Sequence, residues 1–279
     1  MSKSIVDSIQ TKYRGITKCI NRNYWFSTSE VSHSLYVGSY GRGTAISASD
    51  VDILVMLPSE YYRRFDEYTW NGQSQLLQHV KESLKSSYPN TKLRGDGQVI
   101  ILDYHDICFE VVPCFELNDG RFFYPDTNNG GSWKITNPRA EIDEMNRMNN
   151  QTNKNLKKLC RMIRSWNYSN NLGLSGYLID AACYDFIRSH QEYADKSYLY
   201  YDEICRDFFK HASSCIGSYW IMPGSYQMIK NEENLNREAR KSYTIAKEAI
   251  ELANKDYEYS ARAKWREIFG DKFPATAPV

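Results

Sequence analysis

Long apolar runs are missing: no stretch of the 279 residues approaches the roughly 20 consecutive apolar side chains that a membrane-spanning helix requires. No membrane partner is expected, and the opening residues, Met1 to Gly15, carry no apolar segment of a secretory leader. An excess of one charge is also missing. The chain holds 35 basic and 34 acidic side chains, a formal net charge of +1. Proteins that grip duplex DNA through its phosphates carry a clear basic excess, so a duplex DNA activator is not expected. The seven cysteines (Cys19, Cys108, Cys114, Cys160, Cys183, Cys205, Cys215) are odd in number and scattered. None forms a CxxC or a Cys/His pair at ligand spacing, so no zinc is expected. Most lie in apolar stretches and read as reduced, buried thiols of a cytoplasmic protein. There is no internal repeat, heptad pattern or long low-complexity tract, which excludes a solenoid or a coiled coil.

The composition, 42% hydrophobic and 25% charged, is that of an ordinary globular protein, long enough for one large domain or two packed lobes. Ile5, Ile9, Tyr13, Ile16 and Ile20 share one face of a first helix. Residues 35–37, 51–57 (stopped by Pro58), 92–94, 99–104 and 107–115 read as strands. A helix around Leu76, Leu77, Val80 and Leu84 stops before Pro89, and His105-Asp106 suits a hairpin turn. The second half changes period. Leu156, Leu159, Cys160, Ile163 and Trp166 lie on one helical face, and residues 178–187 and 235–253 also read as helices. Polar residues 118–150, with Asn128-Asn129-Gly130-Gly131, read as a surface connection. The expectation is an α+β chain with a catalytic lobe over 1–150, a helical lobe over 151–270 and a flexible tail over 271–279. The first helix could bridge both lobes, and the cleft between them is the expected site.

The chemistry concentrates in Gly38-Ser39-Tyr40-Gly41-Arg42-Gly43-Thr44, followed by Ser49-Asp50-Val51-Asp52. No Gly-Lys-Ser/Thr closes the segment, so it is not a Walker A loop. A glycine turn after a strand exposes backbone N–H groups, and Gly38 with the Ser39 hydroxyl offers them to phosphate oxygens. Asp50 and Asp52, two positions apart on a strand, point to the same face. Such a pair can share two cations roughly 3.5–4 Å apart. Magnesium fits, with manganese as a substitute, because it takes few carboxylates and fills its shell from phosphates and water. Glu110 is the third acid, set in an apolar strand whose neighbours Phe109 and Val111 point the other way, where an acid needs a partner, a proton or a metal. It is also placed to bring an attacking ribose hydroxyl near metal and base. Asp106 shares its parity but sits at the turn, in solvent. A lone DxD is usually a solvated edge and a lone Gly-Ser only a turn. Their order and spacing together favour nucleotide transfer. Lys157, Arg161 and Arg164 recur at i, i+4 and i+7 as a basic stripe, either a solvated flank or a triphosphate-binding face; Lys158 falls outside it. The five histidines show no mutual spacing, and no one of the 22 tyrosines stands out as a base-stacking ring.

These motifs resemble the nucleotidyltransferase superfamily that includes DNA polymerase beta, and within it the bacterial cGAS/DncV-like nucleotidyltransferases. GSYGRGTAISASDVDILVMLP is similar to the family core and FEVVPCF to its third-acid strand. Tyr124-Pro125-Asp126, Trp133 and Thr136-Asn137-Pro138 are similar to the connection that follows, LKKLCRMIRSWN and LSGYLIDAA to the helical lobe. The resemblance implies a polymerase-beta-like lobe, a mixed sheet with flanking helices, joined to a helical lobe. It implies synthesis of a cyclic di- or oligonucleotide second messenger from NTPs in antiphage signalling, with regulatory or effector protein partners. Linear oligonucleotide synthesis, nucleotide transfer to RNA or a small acceptor, and a silent nucleotide-binding protein are the alternatives. By resemblance Arg164 and Ser175 contact the triphosphate. The chain departs from the family at Glu110, commonly Asp; at Arg164, commonly Lys; and at Ser175-Gly176-Tyr177, commonly Ser-Ser-Tyr. MPGSYQMIKN also stands where a DP-containing segment is expected.

Overall fold

The computed structural model describes residues 1–46, 50–215 and 219–276. The chain divides into two compact units, Met1–Ile142 and Asp143–Val279.

In the first unit the helix α1 (Lys3–Tyr24) starts where the Ser2 hydroxyl accepts the Ile5 N–H. Its stripe of Ile9, Tyr13, Ile16 and Ile20 is buried, whereas Ile5, in the first turn, is half in solvent. Strand β1 (Ser34–Tyr36) leads into a one-turn helix, α2 (Gly38–Gly41), and then into β2 (Asp50–Met56). Helices α3 (Ser59–Asp66) and α4 (Gly72–Ser87) follow. The Asn71 side chain caps α4 by accepting the Ser74 N–H at 2.9 Å. Strands β3 (Lys92–Asp96), β4 (Val99–Tyr104) and β5 (Ile107–Glu116) complete the central order β1-β2-β5-β4-β3. Only the β2–β5 pair within this path is parallel. Val51, Ile53, Val55, Phe109 and Val111 point to one face, where Ile16, Ile20, Leu76, Val80 and Leu84 of α1 and α4 cover them. The alternation sets Asp50, Asp52 and Glu110 on the opposite face, where Leu54, Met56 and Cys114 further along the strands form a second buried apolar cluster with Val37 and Phe122.

The polar segment 118–150 is ordered structure rather than a surface connection. It forms β6 (Phe122–Asp126), β7 (Ser132–Thr136) and helix α5 (Pro138–Gln151). The β6–β7 hairpin turns through Asn129, Gly130 and Gly131, all at positive φ, and β6 joins the sheet by pairing with β5. Its polarity reflects strands with exposed outer positions. The start of α5 carried a signal that the reading as a connection passed over: Pro138 sits at its first position, after Asn137, whose side chain accepts the Ala140 N–H.

The boundary between the units falls inside α5, where the sequence places it at 150/151. The second unit continues with α6 (Asn155–Ser169), α7 (Gly176–Ser189), α8 (Tyr201–Ser214), a small hairpin β8 (Tyr219–Ile221) and β9 (Met228–Lys230), α9 (Glu233–Ala253) and α10 (Glu258–Phe269). Its core gathers Trp166, Phe186, Phe208, Phe209 and Leu235. At the start of the expected tail, Phe273 packs on this core and its carbonyl accepts from Arg266 at 2.8 Å. Residues 277–279 of that tail lie outside the described residues. All seven cysteines are free thiols, five of them buried. No helix among the described residues is long and apolar enough to cross a membrane.

Candidate functional site

Parallel pairing of β2 with β5 sets Asp50 beside Cys108 and Asp52 beside Glu110. The spacing in sequence thus becomes a spacing across strands: Asp52 and Glu110 are direct neighbours on the face away from α1 and α4. Asp50, at the strand's start, is exposed, and Asp52 and Glu110 are partly buried. Burial, and then the charges of Asp52 and Asp50, push the Glu110 carboxyl up to about 7. Asp52 is also raised, by burial first, with the positive charge of Arg42 pulling it back. A side-chain hydrogen bond joins the two acids and favours the proton on Glu110.

The glycine turn is packed onto this pair. Gly38 has φ +59°, and a Cβ there would lie 1.8 Å from Asp52 Oδ2. Glycine is required both for the left-handed backbone and for the approach of the chain to the carboxylate. The Val37 N–H donates to the Asp52 carbonyl at 2.9 Å, tying the turn to β2. The turn closes through the Ser39 carbonyl, which accepts the N–H groups of Thr44 (2.9 Å) and Ala45 (3.2 Å). Among the described residues these closing bonds run to the Ser39 carbonyl and not to its hydroxyl. Ser49, which precedes the aspartates in the motif, lies outside the described residues.

Arg42 is the residue of this motif that sequence reasoning left without a role. It is buried at 4% exposure and donates to Glu141 of α5 at 3.2 Å. Its position inside the glycine motif was the available signal; the partner, 99 positions away, was not visible. Asp106 sits at the β4–β5 turn, exposed and paired with Lys12 at 3.0 Å, so it belongs to the surface.

Among the described residues no three His, Cys, Asp or Glu side chains already form a closed metal cage. The donor set is instead two aspartates and a glutamate on one face of the sheet. That chemistry fits magnesium, which uses few protein carboxylates and keeps positions for phosphates and water.

In the second unit the basic stripe is divided. Arg164 forms an ion pair with the fully buried Asp180 at 2.8 Å and donates to the Gly176 carbonyl at 2.7 Å. Its charge is already matched inside the fold, which the sequence could not reveal because Asp180 lies on the next helix. A Cβ at Gly176 would stand 2.2 Å from Arg164 Nη1, which accounts for glycine in the middle of Ser175-Gly176-Tyr177. The Ser175 hydroxyl caps α7, accepting the Leu178 N–H at 3.1 Å. Lys157 donates to Asn146 at 2.5 Å, and burial, with the nearby Arg161 charge, holds its ammonium below the usual lysine range. Arg161 is exposed. Lys158, off the stripe, lies over the Tyr201 ring at 5.5 Å.

Two expectations follow. Arg164→Ala leaves Asp180 buried without its main counter-charge and should cost about 3–5 kcal/mol, against less than about 1 kcal/mol for exposed Arg161→Ala; chemical denaturation measures both. A stability loss at Arg161 as large as at Arg164 would contradict this division. The pH dependence has a definite sign. Because folding raises the Glu110 pKa, its contribution is fully present below the ordinary carboxylate range and is lost as pH rises through about 7. Thermal unfolding in EDTA should therefore show a midpoint that falls between about pH 4 and pH 8, from near the ordinary carboxyl value of 4.5 to roughly one unit above 7, and Glu110→Gln should flatten the fall. An unchanged slope in that variant would show that other groups cause it.

Comparison with known proteins agrees with this geometry. The family model for the Second Messenger Oligonucleotide or Dinucleotide Synthetase domain matches residues 1–149, the stretch that carries Gly38, Asp50, Asp52 and Glu110. The chain is 24% identical over 277 residues to a probable cyclic nucleotide synthase of Bacillus cereus, covering 85% of this chain and 81% of that protein. It is 22% identical over 287 residues to a cyclic AMP-AMP-AMP synthase of Acinetobacter sp., covering 99% and 82%. Among solved structures, CdnC of E. coli MS115-1, determined with HORMA-deltaN, superposes with a TM-score of 0.72 at 14% identity, over 98% of this chain and 94% of that one. The Vibrio cholerae cyclic AMP-GMP synthase DncV, in complex with a linear intermediate, gives 0.69 at 16% identity, over 86% and 70%. With more than half its length matched and its acids set in the matched strands, the chain belongs to the second messenger oligonucleotide or dinucleotide synthetase family, among the bacterial cGAS/DncV-like nucleotidyltransferases.

Proposed function

We propose that the protein synthesises a cyclic di- or oligonucleotide second messenger from NTPs, with release of pyrophosphate. The observation that carries the reading is the register of Asp52 with Glu110 on paired parallel strands, beside a glycine turn that only a missing side chain allows. Asp50, Asp52 and Glu110 would hold two magnesium ions, which when bound neutralise the phosphates and stabilise charge at the reacting phosphorus. Gly38 brings backbone N–H groups of the turn close to Asp52, and the Ser39 hydroxyl is available to a phosphate oxygen. In each step a ribose hydroxyl oxygen attacks the α-phosphorus of an NTP. The new P–O bond forms as the bond to pyrophosphate breaks, and the hydroxyl proton is lost to a base. Glu110 is placed to bring that hydroxyl close to the metal and the base.

In the second unit Lys157 and Arg161 supply the cationic face for a triphosphate. Arg164 and Ser175 shape that face, the one through Asp180 and the Gly176 carbonyl, the other as the α7 cap. Ring closure as the final step is supported by the cyclic products named for the relatives and by the linear intermediate bound to DncV. Holding both reacting ends of a short intermediate in one site raises their effective concentration and favours closure over release. The HORMA-deltaN complex of CdnC supports a protein partner for this chain as well.

The reading is tested with labelled NTPs and magnesium, followed by phosphatase and mass spectrometry. The expected product resists phosphatase and has a mass equal to a whole number of nucleotide units with no terminal phosphate. A phosphatase-sensitive ladder that lengthens with time identifies a linear synthase instead. Asp50→Asn and Asp52→Asn should each abolish pyrophosphate release, because a neutral amide is a poor magnesium ligand. Asp52→Asn should also raise the metal-free melting temperature by relieving repulsion from Glu110. Near-normal turnover in either variant would remove the carboxylate assignment.

A further inference from the structure

We propose that Arg42 is a positioning residue for nucleotide transfer: its buried guanidinium, fixed by Glu141, holds the Gly38–Thr44 turn and the Asp52 carboxylate in their working arrangement. The proposal deepens the reading given above and rests on it.

A buried arginine is rare and needs a compensating reason. Arg42 and Glu141 have side-chain exposures of only 5% and 4%, and they meet at 3.2 Å. Such a pair adds little stability over apolar residues of similar volume, because desolvating two ions offsets most of their attraction. Its position suggests what it adds. The Arg42 N–H donates to the Gly38 carbonyl at 3.1 Å, so the cation is attached to the same turn that contacts Asp52. On one side that turn is tied to β2 by the Val37 N–H bond to the Asp52 carbonyl. On the other it abuts the start of α5, since a Cβ at Gly41 would lie 3.3 Å from Ile142 Cδ1. Glu141 stands in the first turn of α5, immediately before Ile142. The turn is therefore clamped between the strand that bears the aspartates and the helix that bears Glu141, with Arg42 inside the clamp.

Lysine at position 42 would keep the charge but not the planar guanidinium that meets Glu141.

The test uses the full chain with Arg42→Lys and with the double variant Arg42→Met/Glu141→Leu, compared by three measurements. Thermal unfolding reports the fold, and amide hydrogen exchange at Val37, Arg42 and Thr44 without metal reports the turn. Steady-state pyrophosphate release with magnesium separates kcat from KM. The double variant should melt close to the wild type, exchange these three amides several-fold faster, and lose about 100-fold in kcat with KM for NTP changed less than about threefold. Arg42→Lys should move in the same direction by a smaller factor. Wild-type exchange and kcat in either folded variant would overturn the proposal. So would losses of kcat that simply follow the melting temperature with no local change in exchange. If the double variant does not fold, Arg42→Lys decides the matter by the same criteria. A wild-type protein that releases no pyrophosphate would instead defeat the functional reading, and the exchange data would still judge the clamp.

Discussion

Two carboxylates pressed together across parallel strands are the constraint around which the first unit is organised. Asp52 and Glu110 are neighbours because β2 and β5 pair in parallel with Asp52 opposite Glu110. The strand period then fixes everything on the reverse side. If the acids are to share one face, Val51, Ile53, Phe109 and Val111 must share the other, and α1 and α4 supply the apolar surface that buries them. A shift of one residue in that register would put Asp52 into the core and Ile53 at the site. The hydrophobic packing of α1 and α4 is thus what holds two like charges at contact, and the pair answers by retaining a proton on Glu110.

The two units handle buried charge in opposite ways. In the second, Arg164 and Asp180 neutralise each other and α7 is bonded to α6 through them. In the first, acids stand beside acids, with the Arg42 charge acting on Asp52 and shared with Glu141. One arrangement pairs opposite charges, whereas the other sets like charges side by side. Catalytic sites commonly carry such an imbalance, which a ligand or ion can relieve. The glycines follow the same division. Gly38 admits the backbone to the Asp52 carboxylate, and Gly176 admits it to the Arg164 guanidinium. In both places the missing Cβ is explained by a charged group on a neighbouring element and not by the turn alone.

Much of this was legible before any tertiary structure. The alternation in 107–115 exposes Glu110 as an acid on the wrong side of an apolar strand, and the DVD spacing places both aspartates on one face. The glycine turn, the long strands and the amphipathic helices α1, α4, α6 and α9 were equally plain in their periods. The hairpin of 122–136 was missed because its polar, part-exposed strands lack a strong apolar alternation, and its Asn-Gly turn was read as a loop. Helices α3, α8 and α10 were not singled out either. Their burial depends on faces whose partners lie elsewhere in the chain.

By itself the sequence determined the identity of the three acids, their common face and the need for a backbone turn beside them. These rest on local periodicity and on the chemistry of side chains, which require no partner to be recognised. Only the tertiary structure decided who stands opposite whom. It set Asp52 against Glu110, closed Arg42 on Glu141, and paired Arg164 with Asp180. Each of those pairings joins residues on separate elements, so their distance is fixed by strand register and helix packing, neither of which a linear spacing encodes.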